Sequence, residues 1–489
     1  MIVNVFGIIY SFVLYMLFLI GSGNKFETLY PICLVLLLVY IFLFYLSGLR
    51  ENPKLYNWGI RPTYLCLLGI LVVNLQFFAD VSFGFSRLMQ SMPLPWAENY
   101  SDKCFFGGML FVVIFILTNY NCKTCWRSKN QRSITLNVWP WLIFMLLSFS
   151  VFLAKIDISS FINGSVYSGS GASDFKENIS NSMERMFNVF LIIVLAVYTK
   201  KKLNKKETVT IKQFFKEMPS LFWVLVIAYI LLRLLSGDRG PVMYSSLSVL
   251  FSMLMVTHKT INMKRSILII VAGAFTVTLL GVVRGRAFSL TYGEKIEESL
   301  KRLREINKER VKTVSTYTRE LAGSMKCNFI CVRDIEEGRT GYSFGRYTFL
   351  SAIGSFPGAK KKYFEYFGFK KSEMDSADYI TQSYNGSASY DVGLGSSVFG
   401  ESYLELGVIG IIITAAILGI VFKKVDLSYL NSGELSIPVL IAVFKLSSVA
   451  FYVSRSSFSY TLSQVLYIWV IYFILNLIVK PLFYRKTKQ

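Results

Sequence analysis

Long apolar runs separated by short polar loops dominate the chain. Twelve of these runs are long enough to cross a bilayer, whose core of about 30 Å takes roughly twenty helical residues. The pattern therefore predicts twelve transmembrane helices. We expect the first run to be the first span and not a cleaved signal peptide, because it has no basic start and no small-residue cleavage site. The runs cover residues 2–20, 29–47, 63–85, 104–120, 138–154, 183–199, 219–236, 242–257, 266–283, 402–422, 436–453 and 464–483.

The composition favours the same class of protein. The 489 residues are 53% hydrophobic and only 17% charged, with a mean hydropathy of +0.48, whereas soluble domains carry about a quarter charged residues. The formal net charge is +22, which in a soluble protein would suggest a nucleic-acid partner. Here the lysines and arginines collect in short loops between spans, so we predict no nucleic-acid partner.

The distribution of basic residues predicts the orientation of the spans. One set of alternate loops, together with the C-terminal tail, holds 23 lysines and arginines, and the other short loops hold eight. Loops rich in lysine and arginine remain in the cytoplasm. We therefore expect both termini on the cytoplasmic side of a bacterial inner membrane.

Residues 284–401 interrupt the regular spacing as one long connection on the predicted periplasmic face. The predicted organisation is spans 1–9 in residues 1–283, this loop, and spans 10–12 with a cytoplasmic tail in residues 402–489. Within the loop, apolar residues recur at helical spacing between Glu294 and Met325. They predict an amphipathic helix that lies on the membrane or caps the helical bundle.

Charged residues at the end of the seventh span suggest an anion site. Arg233 lies in the apolar helix, and Asp238 and Arg239 follow in the turn 237–241, which contains two glycines and Pro241. The following helix N-terminus exposes free amides that favour anions. The alternative is an Asp–Arg salt bridge with Arg233 reaching to the interface.

Four further cations lie at or within predicted spans. Arg284 and Arg286 end the ninth span, Lys445 lies inside the eleventh, and Arg455 ends the eleventh. A charge inside the bilayer is costly unless it is paired or hydrated. Lys445 therefore faces a polar cavity or forms a buried ion pair that fixes helix packing.

Glycines, aromatics and arginines in the long loop suit a sugar–phosphate ligand. Residues 338–347 contain Arg339, Tyr342 and Arg346; guanidinium groups bind phosphate oxygens in pairs. At the end of the loop a glycine–serine turn precedes Glu401 and Tyr403. Glu401 is either a catalytic base among arginines or a helix cap, since carboxylates are favoured at helix N-termini.

Several chemistries lack the residues that they need. The one histidine, His258, falls on the predicted cytoplasmic side, and no paired carboxylates or metal-binding cysteine pattern occur in an early outer loop. We predict no metal and no cofactor. Cys327 and Cys331 could form a disulfide in an oxidising compartment, although cysteines four apart on a helix are badly placed for one.

These features resemble the O-antigen polymerase (Wzy) family of lipopolysaccharide synthesis. The topology carries the resemblance over most of the chain, and its local content is residues 237–241 and 395–410. The resemblance implies an all-helical, GT-C-like membrane glycosyltransferase that works without metal. It implies transfer of a growing glycan from undecaprenyl diphosphate onto a new lipid-linked repeat unit at the periplasmic face. It also implies membrane lipid, a chain-length co-polymerase and a flippase as partners.

In that reaction the arginines would hold the diphosphate leaving group, and Glu401 or Asp238 would deprotonate the acceptor hydroxyl. Arg239, Arg284 and Arg286 are the predicted catalytic cations. The predicted substrate-binding residues are Arg233, Arg339, Tyr342, Arg346, Tyr403, Lys445 and Arg455. Two alternatives stay open: an O-antigen ligase, a family associated with an outer-loop histidine, and a lipid-linked oligosaccharide flippase or transporter.

Overall fold

The structure, a computed structural model, is built from helices. It describes residues 2–85, 94, 96–126, 137–156, 175–205, 209–236, 239–268, 273, 318–356, 359–368, 373, 375–385 and 393–484. Within these ranges there is no β-strand, and a single bridge joins Trp58 to Asn262. An all-helical fold follows from the sequence, because in lipid a helix satisfies its backbone hydrogen bonds internally.

Eighteen α-helices are described, with short 3-10 helices at Glu27–Leu29, Ala97–Tyr100, Ser432–Glu434 and Ala450–Arg455. The first ten α-helices are α1 Ile2–Ile20, α2 Tyr30–Glu51, α3 Pro53–Tyr56, α4 Pro62–Ser82, α5 Ser101–Asn121, α6 Trp139–Lys155, α7 Phe175–Asn204, α8 Ile211–Glu217, α9 Ser220–Leu235 and α10 Arg239–Thr257. The others are α11 Arg319–Ala322, α12 Met325–Glu336, α13 Arg346–Ile353, α14 Ala359–Phe367, α15 Ser376–Asn385, α16 Val398–Leu430, α17 Ile437–Val449 and α18 Phe458–Tyr484.

Nine helices in the described part of the chain are long and apolar enough to cross a membrane. A tenth span results if α8 and α9, which meet at a bend of 98°, are counted together, and α6 is a shorter apolar helix. The chain is therefore a multi-pass membrane protein. Eleven predicted spans coincide with described helices; the ninth, 266–283, lies almost entirely outside the described residues. The total of twelve and the GT-C-like arrangement remain predictions.

Helices α4 and α5 bury about three quarters of their residues, whereas α1, α2 and α18 bury a third or fewer. Helix α16 packs along α5. Buried Asn119 of α5 donates its amide to the Gly419 carbonyl of α16 at 3.0 Å and to the Thr63 hydroxyl of α4 at 3.1 Å. These bonds join three spans at one level.

Helix α16 is broken near its start. Its 33 residues would extend about 50 Å at 1.5 Å per residue, well beyond a bilayer core of about 30 Å. The break falls at Leu406 and Gly407, and Gly407 has φ +63°, a conformation that favours glycine. Residues 398–405 therefore form a separate segment.

The segment 398–405 belongs with the long connection. The amides of Ser343 and Phe344 donate to the carbonyls of Leu404 and Glu405 at 2.8 and 3.0 Å, which satisfies acceptors that the break leaves open. We call the described residues 318–405 the loop region. The predicted amphipathic helix 294–325 lies outside the described residues as far as 317, and α11 and the start of α12 are its described part.

Candidate functional site

The predicted base Glu401 lies in the first turn of α16 and is 1% exposed. Its Oε2 accepts hydrogen bonds from the hydroxyls of Ser376 at 2.5 Å and Ser459 at 3.0 Å, and its Oε1 accepts from the Ser459 amide at 2.9 Å. Ser459 lies in the first turn of α18, where backbone amides lack helical partners. Glu401 therefore caps α18 and joins it to α15.

Glu405, one turn further on, caps a different helix. Its Oε1 accepts from the amide of Thr348 at 3.0 Å and from the hydroxyl of Thr348 at 3.4 Å. These groups belong to the first turn of α13, which follows Gly345 at φ +85°. The cap of α16 itself is Ser397, whose hydroxyl accepts from the Gly400 amide at 2.9 Å. The geometry thus favours capping over catalysis for Glu401, although of α18 and not of α16.

Tyr403 is an anchor of the loop region. It is buried, its hydroxyl donates to Glu336 of α12 at 2.6 Å, and its ring stacks on Phe399. Glu336 also pairs with Lys103 of α5. This arrangement fastens α12 to the bundle, and it leaves Tyr403 no exposed face for a sugar.

The predicted loop cations differ in their surroundings. Arg339 is exposed and pairs with Glu337 at 2.5 Å. Arg346, the first residue of α13, contacts the Tyr347 hydroxyl through Nη2 at 3.4 Å, and no ion pair joins it to a described carboxylate. Tyr342 is 43% exposed and packs beside Gly407. Arg346 and Tyr342 are therefore open to a ligand, whereas Arg339 is part of a surface ion pair.

Arg233 is paired inside the bundle. This buried side chain of α9 forms an ion pair with Glu184 of α7, and Glu184 also accepts a hydrogen bond from the Tyr229 hydroxyl at 2.7 Å. Asn188 donates to the same hydroxyl at 2.9 Å. Glu184 was not among the residues predicted from the sequence. The available signal was spacing, because Glu184 and Asn188 recur four apart in an apolar helix, as do Tyr229 and Arg233.

Among the described residues, Lys445 has no such partner. It is 8% exposed, and its Nζ lies 5.4 Å from the ring centroid of Tyr244. None of the carboxylates that the structure describes forms an ion pair with it. Tyr244 lies five residues into α10, about 7.5 Å along the helix from its first residue Arg239. The predicted buried ion pair is not formed among the described residues.

Arg455 ends the 3-10 helix Ala450–Arg455 and lies near Cys327. Burial raises the pKa of the Cys327 thiol to about 12 although Arg455 favours the thiolate, and burial raises the pKa of Cys331 well above its usual range. Both thiols are free. They are protonated at neutral pH and are poor nucleophiles.

The remaining predicted residues stay untested. Asp238, Arg284 and Arg286 lie outside the described residues, and so does the side chain of Arg239. Convergence of these arginines on Glu401 is therefore still a prediction. Across the described ranges no three His, Cys, Asp or Glu side chains are grouped to hold a metal ion; metal independence also stays a prediction. His258 has φ +49° just past the end of α10.

Among the described candidate residues, the acids have hydrogen-bond or ion-pair partners and two of the cations have no described carboxylate partner. Glu401, Glu405 and Glu184 are bound to hydroxyls, amides or a cation, whereas Lys445 and Arg346 form no ion pair with a described carboxylate. Such an arrangement can bind an anionic ligand.

Comparison with known proteins gives one finding. The family model for O-antigen polysaccharide polymerase Wzy matches residues 6–488. No curated protein and no solved structure matches the chain.

Proposed function

Because the chain belongs to the O-antigen polysaccharide polymerase Wzy family, we propose that it joins undecaprenyl-diphosphate-linked oligosaccharide repeat units at the periplasmic face of the inner membrane. The observation that carries the proposal is the family match over nearly the whole chain. In the reaction the glycosidic bond to the diphosphate breaks, and the sugar carbon bonds to a hydroxyl of the acceptor repeat unit. Undecaprenyl diphosphate leaves with the bonding electron pair, and a base takes the hydroxyl proton.

The leaving group requires positive charge. A diphosphate that gains charge in the transition state is stabilised by cations already held in place. Lys445 supports this role because it is buried beside Tyr244 without a described carboxylate partner. We place the diphosphate at the Arg239 end of α10, above Lys445, with Arg284 and Arg286 as further ligands.

Two groups serve the glycan in this proposal. Tyr342 is exposed and Arg346 is half-buried in the loop region, and an aromatic ring and a guanidinium group suit a sugar chain. Asp238 is the proposed base, since Glu401 is already bound by Ser376 and Ser459. The reaction uses no metal or cofactor. A chain-length co-polymerase and a flippase would act with the protein.

The test is the lipopolysaccharide banding pattern of a deletion strain carrying a plasmid copy. The deletion should leave lipid A core with a single repeat unit, and the wild-type gene should restore the ladder. Arg239→Ala should restore less than about a tenth of the ladder, as expected for loss of a transition-state cation. Arg319→Ala, an exposed arginine of the loop region, is the matched control and should restore it fully.

Other patterns would overturn the proposal. Core without any O-antigen would indicate a ligase, and repeat units trapped on the inner leaflet would indicate a flippase. A full ladder from Arg239→Ala, at equal protein abundance on an immunoblot, would remove Arg239 from the catalytic site.

A further inference from the structure

The short helix α8 follows α7 in the chain and is nearly perpendicular to α9. Helix α8 meets α9 at 98°, and Met218 and Pro219 between them are extended. Helix α8 also has its own start, because Thr210 and Gln213 form a capping box with both hydrogen bonds present. If α9 crosses the bilayer, α8 lies in the plane of its surface. We call residues 209–224 the elbow.

The elbow is held rigidly against the bundle. Phe214 is buried with its ring centroid 5.6 Å from that of Tyr198. The indole N–H of Trp223 donates to the Phe215 carbonyl at 3.1 Å, and the rings of Trp223 and Phe215 stack at 4.7 Å. An ion pair between Lys202 and Glu217 joins the end of α7 to α8. The orientation of α8 is therefore set by side-chain packing.

One face of the elbow is apolar and exposed. Ile211 and Phe215 are four residues apart on α8, so they share a face, and they are 40% and 50% exposed. The stripe continues along α9 through the exposed side chains of Val224, Ile227 and Leu231. In a multi-pass membrane protein, such a continuous apolar stripe faces acyl chains.

Exposed lysines border this apolar face. Lys212 and Lys216 recur four apart on α8, and Lys201 and Lys205 are exposed at the end of α7. The acidic residue of the described elbow, Glu217, is already paired with Lys202. Lys206 and Glu207 lie outside the described residues. The described surface beside the apolar face is therefore positive.

We propose that the elbow is a binding site for an anionic phospholipid. The phosphate group would contact Lys212 and Lys216, and the acyl chains would lie on Ile211 and Phe215. The charge and the continuity with the lipid-facing stripe of α9 select a lipid over a protein partner. The tendency of lysines to stay on one side of the membrane would explain the charges of α8. It would not explain a packed helix at right angles to α9 that exposes two apolar residues. The site shares no residue with the proposed transfer reaction.

The experiment measures lipid binding to the purified full-length protein in neutral detergent. Native mass spectrometry counts bound dioleoyl phosphatidylglycerol, with dioleoyl phosphatidylcholine as the neutral comparison. Wild-type protein should bind phosphatidylglycerol about ten-fold more tightly than phosphatidylcholine. The double variant Lys212→Gln, Lys216→Gln should lose about ten-fold in that affinity, since each lysine near an anionic surface contributes several-fold. Ile211→Ser should weaken both lipids together.

The matched control is Lys54→Gln, Lys264→Gln, which removes two exposed lysines elsewhere and should leave binding unchanged. Equal binding of both lipids, an equal loss in the control, or full binding by the elbow variant would each overturn the proposal. Phosphatidylglycerol binding by the wild type that does not weaken between about 50 and 500 mM salt would also overturn it, because exposed charges are screened. That measurement does not depend on the stability of any variant.

Discussion

The loop region and the bundle formed by α7, α9, α10 and α17 differ in the partners of their buried charges. In the loop region each of two buried acids has several partners: Glu401 accepts three hydrogen bonds from Ser376 and Ser459, and Asp334 pairs with the buried Arg333 and accepts from Tyr379 and Ser383. In the bundle, two candidate site residues are buried cations. Arg233 forms an ion pair with Glu184, whereas Lys445 contacts a tyrosine ring and forms no ion pair with a described carboxylate.

The partners of a buried charge indicate whether that charge has a structural role or can bind a ligand. A buried carboxylate is costly unless hydrogen bonds replace its hydration, and helix N-termini offer amides that need acceptors. The acids of the loop region are therefore occupied in joining helices. Lys445 forms no ion pair with a described carboxylate and keeps its capacity for an anion, so we expect anion binding in the bundle. Three experiments can break or sharpen this division.

The largest effect is expected at the Glu184–Arg233 pair. Arg233→Gln or Glu184→Gln alone leaves one buried charge unpaired and should lower the free energy of unfolding by about 3–5 kcal/mol. The double variant should lose less than the sum, because both charges are gone. Thermal unfolding in detergent measures this, and Arg185→Gln, an exposed neighbour, should have little effect. Additive losses would show that the pair is not coupled.

A somewhat smaller loss is expected at Glu401. Glu401→Ala removes three accepted hydrogen bonds and the cap of α18, and should cost about 2–3 kcal/mol of stability. Glu98→Ala, at an exposed carboxylate, is the control. If Glu401→Ala abolished the O-antigen ladder without a change in thermal unfolding, Glu401 would be catalytic, and the assignment of the loop-region acids to structure would be wrong.

The smallest energetic effect is expected at Lys445. Lys445→Met keeps the length of the side chain and removes a buried charge, so stability should stay equal or rise. Polymer output should nevertheless fall about ten-fold, equivalent to about 1.4 kcal/mol of transition-state stabilisation. Lys445→Arg should keep part of the activity. A full ladder from Lys445→Met would show that this cation is not used.

The pattern of apolar runs predicted much of the fold. The apolar runs placed eleven described helices, because a helix in lipid must be apolar over a fixed length. The run 398–410 also contained the break in α16: a side chain at Gly410 would meet the Ser402 carbonyl at 2.0 Å, and Gly407 requires a positive φ. The glycines were visible in the sequence, but the break itself was not.

The site was less predictable. Arg233 was correctly singled out as a costly charge, yet its partner Glu184 lies on another helix 49 positions earlier in the chain. Glu401 suggested a cap from its position in a first turn, but the helix that it caps begins at Phe458. Lys445 could face a cavity or an acid. The spacing of residues along one helix shows which of them share a face. It does not show which other helices that face contacts.

The sequence by itself determined that this chain is helical, that it crosses a membrane many times, and that it belongs among proteins with this pattern of spans and loops. These properties depend on local hydrophobicity and on charges near span ends, which each segment carries alone. The tertiary structure decided which of the described charges are neutralised by a partner on another helix. That outcome depends on distances between helices remote in sequence, because a buried charge is stabilised only by groups a few ångströms away.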